Sequence, residues 1–258
     1  PQLKQLELLN ENIGRNECTA LTNLVNGASD LDVLNLCKND LDDEGLDALV
    51  AALTNGRLSF LGLSQNKISA RGCQSLASLL GNASCNLDKL ILSNCNVGDE
   101  KASIFATSLA TNCKLKTLVL THNDITAGGW SGFSNILCDA SSVNETFLSN
   151  HSLEHVHVNM IPSTMPPDVE ASLALNRSSA DKRQVATRKI LKHHQHFDMH
   201  PFFEWDLKVL PIAVTWFDRA RSIANNEDGI DKHKLGTIYQ FIRAMPEVFE
   251  PAPAPAAV

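Results

Sequence analysis

Apolar residues recur along the first half of the chain in a fixed frame. Leu3, Leu31, Leu58, Leu87 and Leu115 each open a Leu-x-x-Leu-x-Leu run, and each run is followed by a second apolar stretch of different spacing. Within a run the alternation predicts a strand, with Leu34 and Leu36 pointing inward while Val33 and Asn35 point out. After the run the period changes. Leu46, Leu49, Val50 and Leu53 fall at i, i+3, i+4, i+7, and Leu76, Leu79 and Leu80 repeat the pattern, which predicts one amphipathic helix per unit. Between the two stand Asn39, Asn66, Cys95 and Asn123, each where the backbone leaves the strand. A side-chain amide there can satisfy backbone groups freed at the bend, so the stacked units are expected to carry a polar ladder inside. Gly45, Gly72 and Gly129 share one place at the helix start, which Glu17 and Lys101 take in the other two units.

One such unit cannot bury its own leucines, so the array is the folding unit. The spacing is that of a leucine-rich repeat, and a period of about 28 residues leaves room for a full helix after each strand. Through LDVLNLCKNDLDDEGLDAL and LSFLGLSQNKISARGCQSL the chain resembles the ribonuclease-inhibitor-like class of leucine-rich repeats over residues 1 to 137. That resemblance implies an α/β fold, a curved solenoid with parallel strands inside on the concave face and helices outside. The first unit departs from it, with Glu11 in the Asn place and Ile13 in register.

After Leu137 the period breaks. The next frame-like stretch, Leu153, Val156 and Val158, arrives late, so residues 138–152 read as an insertion or extended loop. Pro162, Pro166 and Pro167 end strand character, and Asp168 is expected to cap a helix after them. The solenoid is therefore assigned residues 1–167. Residues 168–250 read as a helical C-terminal cap, and the Pro/Ala-rich 251–258 as a disordered tail. In the cap, helical character is expected over 168–197, with Lys182, Arg183, Arg188, Lys189 and Lys192 on polar faces and Ala186, Ile190, His194 and Phe197 as an inner stripe. Trp205, Trp216, Phe217 and Ile242 are then expected to cover the open end of the leucine core. LNRSSADKRQVATRKILKHH, PFFEWDLKVLPIAVTWFDRARS and LGTIYQFIRAMPEVF are similar to the C-terminal region of ribonuclease-inhibitor-like proteins predicted from diatom genomes, a family with no biochemical role to carry over.

Composition adds bounds. At 258 residues, 43% hydrophobic and 20% charged, the chain is an ordinary folded protein. Its net charge of -7 gathers in the repeats, at Asp40, Asp42, Asp43, Glu44 and Asp47, which argues against a nucleic-acid partner. The odd cysteine count fits reduced thiols and a cytoplasmic or nuclear location, although Cys85 and Cys113 would stand on adjacent strands within disulfide reach. Val209 to Phe217 is too short for a membrane span and contains Pro211, so no membrane partner is expected. Sequons at Asn82, Asn144, Asn150 and Asn176 arise by chance in so Asn-rich a chain. Because Pro1 leads directly into a frame, a longer native chain is expected.

Candidate chemistry is sparse. His193, His196 and His200 share helical spacing that suits a metal, but no Cys or acidic pair completes a site, and the simpler reading is cations facing a helix C-terminus. The chain has no phosphate loop, Gly-x-Ser-x-Gly, HExxH or CxxC, so neither an enzyme nor a cofactor is expected. The remaining surface is the concave sheet. Its outward residues Val33, Asn35, Phe60, Lys89, Ile91, Thr117, Val119, His155 and His157 mix apolar and small polar groups and are expected to bind an unknown protein partner. The function expected is a non-catalytic interaction scaffold. The alternatives are a regulator of an enzyme, such as a small-GTPase activator by fold analogy, or a structural module of a larger protein.

Overall fold

A computed structural model describes residues 3–54, 57–158 and 165–194. Strands β1 (Gln5–Glu7), β2 (Val33–Asn35), β3 (Phe60–Gly62), β4 (Lys89–Ile91), β5 (Thr117–Val119) and β6 (His155–His157) form one parallel sheet in chain order. Between them run helices α1 (Arg15–Gly27), α2 (Asp43–Leu53), α3 (Ala70–Gly81), α4 (Asp99–Leu109) and α5 (Ala127–Leu137), each packed on the next. The fold is a leucine-rich-repeat solenoid. Its central row, Leu6, Leu34, Leu61, Leu90, Leu118 and Val156, is held in register by the strand pairing. From Leu34 onward that row is buried with Leu36, Leu63 and Leu92 and with the helix residues Leu46, Leu49, Leu53, Leu76, Phe105, Trp130 and Phe133.

The asparagine ladder is present, and its bonds cross repeats. Asn39 Oδ1 accepts from the amides of Glu11 and Ile13 at 3.0 Å, while its Nδ2 donates to the carbonyls of Leu8 and Leu36. Asn66 accepts from Leu41 N at 3.1 Å and donates to Leu36 O and Leu63 O. Asn123 accepts from Cys95 N and Val97 N and donates to Leu92 O. The residue before each rung, Asn10, Lys38, Gln65, Asn94 or His122, has a left-handed backbone with φ between 54 and 60°. Where the rung itself is not asparagine the turn changes. The residues after Glu11 and Cys95, Asn12 and Asn96, are also left-handed, a conformation that asparagine tolerates better than most side chains. Cys95 donates its thiol to Leu63 O, and Lys101 Nζ reaches Asn96 O at 3.0 Å and Ile68 O at 2.8 Å, a carbonyl whose counterparts Ile13 O and Leu41 O accept from the backbone amides of Asp40 and Lys67.

The helix starts are also coupled between repeats. Asp99, in the first turn of α4, accepts from Thr126 N at 2.7 Å and from the Thr126 hydroxyl at 2.6 Å, while Thr126 caps α5 through Gly128 N. Those bonds from Thr126 hold the Asp99 carboxyl below the usual carboxylate range. Asp43 makes the same bonds to Ser69. A Cβ on Gly129 or Gly72 would lie 2.6 Å from the corresponding aspartate oxygen, so glycine is required where an aspartate precedes. Ala70 is the residue that precedes the fourth unit in that position, and there Lys101 replaces glycine. Glu17, in the first unit, bonds back to Gly14 N at 3.0 Å.

Residues 138–152 are not simply a loop. They contain a short helix, α6 (Val143–Leu148), capped by Ser142, whose six residues are too few to show a period. The span beginning at Asp168 is two helices, α7 (Pro167–Arg177) and α8 (Lys182–His193), broken where Asp181 caps the second. Pro166 is the N-cap of α7, and Asp168 lies in its first turn without a side-chain cap bond. Proline is favoured at a helix start because its missing N–H is not needed there. Val169 and Leu173 join the leucine core. Phe197 of the expected inner stripe, the expected Trp205, Trp216, Phe217 and Ile242 cover, His196 and His200, and the 251–258 tail lie outside the described residues.

A second asparagine ladder runs at the opposite end of the helices. Asn112 donates to Leu80 O at 2.7 Å, Asn150 to Leu109 O and Asn112 O, and Asn176 to Asn150 O and Leu153 O. Asn150 and Asn176 are buried and committed, which takes these two sequons out of reach of glycosylation. Lys189, expected on a polar face, is instead fully buried. Its ammonium donates to Leu137 O, at the C-terminus of α5, and at 3.0 Å to Asn150 O. An α5 terminal carbonyl carries partial negative charge and lacks an intrahelical donor, so it attracts a cation even from an interior position. All seven cysteines are free thiols, and Cys85 is buried while Cys113 is exposed.

Two outcomes follow from these couplings. Gly129→Ala should destabilise the fold by about 1–3 kcal/mol through overpacking against Asp99 and Ile125. Gly27→Ala, which meets nothing within 4 Å, should cost nothing or stabilise slightly in the same urea denaturation series.

Burial pushes Lys189 down to about 7 from an ordinary 10.5, so above pH 7 the folded chain releases a proton that the unfolded chain keeps. Stability should therefore rise from pH 7 to 8.5, at up to on the order of 1.4 kcal/mol per pH unit. Lys189→Met should remove that rise. Above about pH 9 burial of Cys18, Cys73, Cys85 and Cys95 acts with the opposite sign, since their folded thiols are pushed up and the unfolded ones ionise first. Urea midpoints at pH 7 and 8.5 check this. An unchanged pH slope in the Met variant would contradict it.

Candidate functional site

The register brings every sequence-predicted site residue onto the outward side of one sheet, in two rows. Val33, Phe60, Lys89, Thr117 and His155 are consecutive partners in the first row, after Gln5. Asn35, Gly62, Ile91, Val119 and His157 form the second, after Glu7. Parallel strands lie about 4.8 Å apart, so Phe60 and His155 are separated by roughly 14 Å along the face. The two rows alternate with the buried leucine row because successive side chains on a strand take opposite faces. Val33, Phe60, Ile91 and Val119 are half-buried, whereas His155 and His157 are exposed.

Local contacts distinguish these residues. Asn35 turns its amide over Gly62, where an added Cβ would lie 2.5 Å from Asn35 Oδ1, and that oxygen also accepts from Cys37 N at 3.3 Å. Asn35 is thus partly engaged within the sheet. The Lys89 ammonium lies over the Phe60 ring, 5.7 Å from its centroid, a cation-π arrangement that links β3 and β4. The His155 and His157 rings stand parallel at an angle of 4° with centroids 5.8 Å apart. Partial burial, His155 and Lys89 together push His157 below its ordinary range.

The positions just beyond the strands are structural. Ser64 N donates to Cys37 Sγ at 3.2 Å, Ser93 N donates to Ser64 Oγ at 3.0 Å, and the hydroxyls of Ser93 and Thr121 share a bond of 2.7 Å. The sign of this hydroxyl and thiol ladder in the sequence is a cysteine, serine or threonine directly after the second to fifth leucine frames, where the first has Leu9. The ladder satisfies groups within the sheet and leaves the two strand rows as the accessible surface.

Along the rim, Lys116 pairs with Asp88 at 3.2 Å and Lys182 with Glu154 at 3.1 Å. On the helical side, a shallow groove between α3 and α4 is lined by Gln74, Ala77, Ser78, Ser103, Ile104 and Thr107, none of them titratable. Among the described residues no three His, Cys, Asp or Glu side chains gather as a metal site would need, and no helix is long and apolar enough to cross a membrane.

The model of the Leucine Rich repeat family matches residues 29–50 and 111–134. The chain is similar to mouse NACHT, LRR and PYD domains-containing protein 5, with 35% identity over 54% of this chain and 12% of that protein. It is similar to the ribonuclease inhibitors of mouse, at 29% identity, and pig, at 28%, in each case over 59% of this chain and 34% of the inhibitor. The chain therefore spans about a third or less of the length of these relatives. Frame, parallel sheet, outer helices and relatives agree on a leucine-rich-repeat solenoid that is similar to that of the ribonuclease inhibitors.

Proposed function

We propose that the chain is a non-catalytic protein-interaction scaffold that binds its partner along the concave sheet, through Val33, Asn35, Phe60, Lys89, Ile91, Thr117, Val119, His155 and His157. The observation that carries this reading is the register. It sets half-buried apolar side chains from successive strands beside one another on a rigid face, with Glu7 and Lys89 as its only permanently charged strand positions among the described residues. A partly apolar, weakly charged and pre-organised surface suits protein binding, because little ordering entropy remains to be lost on association. Leucine-rich repeats and a relative named for inhibiting a ribonuclease support the same class of role. The face is poorly suited to nucleic acid, which needs several cations, and seven free thiols accord with a cytoplasmic or nuclear setting.

Phe60→Ala or Ile91→Glu should reduce capture of a native partner by at least about tenfold, since large central side chains dominate interface energy. The thermal unfolding midpoint should move little, because neither residue belongs to the leucine core. Affinity purification from the native source with the wild type and both variants, beside melting curves, tests this. Undiminished capture by both variants would place the binding surface elsewhere.

A further inference from the structure

The open face is electrically lopsided. Glu7, its one carboxylate at a strand position, stands on β1 and hydrogen-bonds to its neighbour Gln5. Toward the other end stand Lys89 on β4 and His155 and His157 on β6, and no described carboxylate pairs with any of them. The acids nearest in sequence are already engaged. Asp88 is held by Lys116, which leads into β5, and Glu154 by Lys182 of α8.

This end of the sheet therefore holds one fixed positive charge, Lys89, without a counter-charge, and two imidazoles able to add to it, in a chain whose net charge is -7. The consequence is visible at His157, where partial burial, the adjacent imidazole and Lys89 all oppose protonation. An anion seated between these groups would relieve that opposition. Apolar surface lies directly beside them. Lys89 rests on the Phe60 ring, and Ile91 and Val119 are the strand partners that lead to His157.

We propose that the β4–β6 part of the face receives an acidic, partly apolar segment of a partner protein, with a carboxylate between Lys89 and the His155–His157 pair and an apolar side chain on Phe60, Ile91 and Val119. This rests on the scaffold reading and adds the chemistry of the partner. A single ammonium and two imidazoles suit one or two carboxylates, whereas a phosphate backbone calls for many fixed cations. Because the anion favours the imidazolium form, binding strengthens as pH falls through the histidine range.

The test uses the full chain with fluorescent poly(Glu,Tyr), polylysine and poly(A) as probes, read by anisotropy at pH 6.0 and 7.5 and fixed salt. Poly(Glu,Tyr) should bind about fivefold more tightly at pH 6.0. Lys89→Gln should weaken it about threefold, and the double change His155→Gln with His157→Gln should abolish the pH dependence. Glu7→Gln should leave both unchanged. Absence of poly(Glu,Tyr) binding, indifference to Lys89→Gln, a pH response that survives loss of both histidines, or preference for polylysine or poly(A) would each overturn the proposal. If Phe60→Ala and Ile91→Glu abolish native capture while poly(Glu,Tyr) fails to bind, the scaffold reading stands and the acidic partner falls. If capture survives both of those changes, the scaffold reading falls whatever poly(Glu,Tyr) does.

Discussion

Everything in this solenoid depends on satisfying the backbone groups that each repeat buries as its chain turns from strand to helix. A buried amide or carbonyl left unpaired costs about 1–3 kcal/mol, and every turn would leave several. Asn39 and Asn66 answer with one side chain each, their amides spanning two repeats at once. Because the donor sits in one repeat and an acceptor in the previous one, a repeat cannot complete its own turn. The fourth repeat shows the constraint by breaking it. Cys95 offers a weak thiol donor, so Asn96 adopts a left-handed backbone and the long arm of Lys101 is recruited to the carbonyls of Ile68 and Asn96.

Fixing the turns fixes the strands, and fixing the strands decides what the surface can do. With each leucine frame locked to the next, alternation leaves two outward rows and no freedom to exchange them with the buried row, since a one-residue slip would expose every leucine. The ladder from Cys37 to Thr121 consumes the polar groups just beyond the strands. What remains is a strip in which chemistry varies from one end to the other, carboxylate on β1, apolar groups in the middle, imidazoles on β6. Recognition on such a strip is a matter of matching a sequence of side chains rather than filling a pocket.

The parts legible in the sequence were those governed by a period. Leu34 and Leu36, the i, i+3, i+4, i+7 stripe of Leu46 to Leu53 and the outward rows all follow from spacing alone, as does the placement of the ladder asparagines. The illegible parts answer to partners distant in sequence. Lys189 looked solvated because lysine usually is, and only the meeting of α8 with the end of α5 reveals two carbonyls waiting for it. Asn112, Asn150 and Asn176 form a second ladder at irregular spacing, 38 and 26 residues apart, so no repeat announced them. The same holds for the glycines. Gly72 and Gly129 are dictated by Asp43 and Asp99 of the preceding repeat, and their absence in the fourth unit becomes intelligible only beside Ala70.

The central claim, that turn asparagines bind neighbouring repeats into one fold, is tested most directly by Asn66→Ala with native-state hydrogen exchange. Loss of the bonds to Leu41 N, Leu36 O and Leu63 O should lower global stability by about 2–4 kcal/mol. The amides of Leu36 and Leu63, which bond to the next repeat just beyond β2 and β3, should lose protection together. Faster exchange confined to the Leu41 amide, with global stability unchanged, would contradict the account.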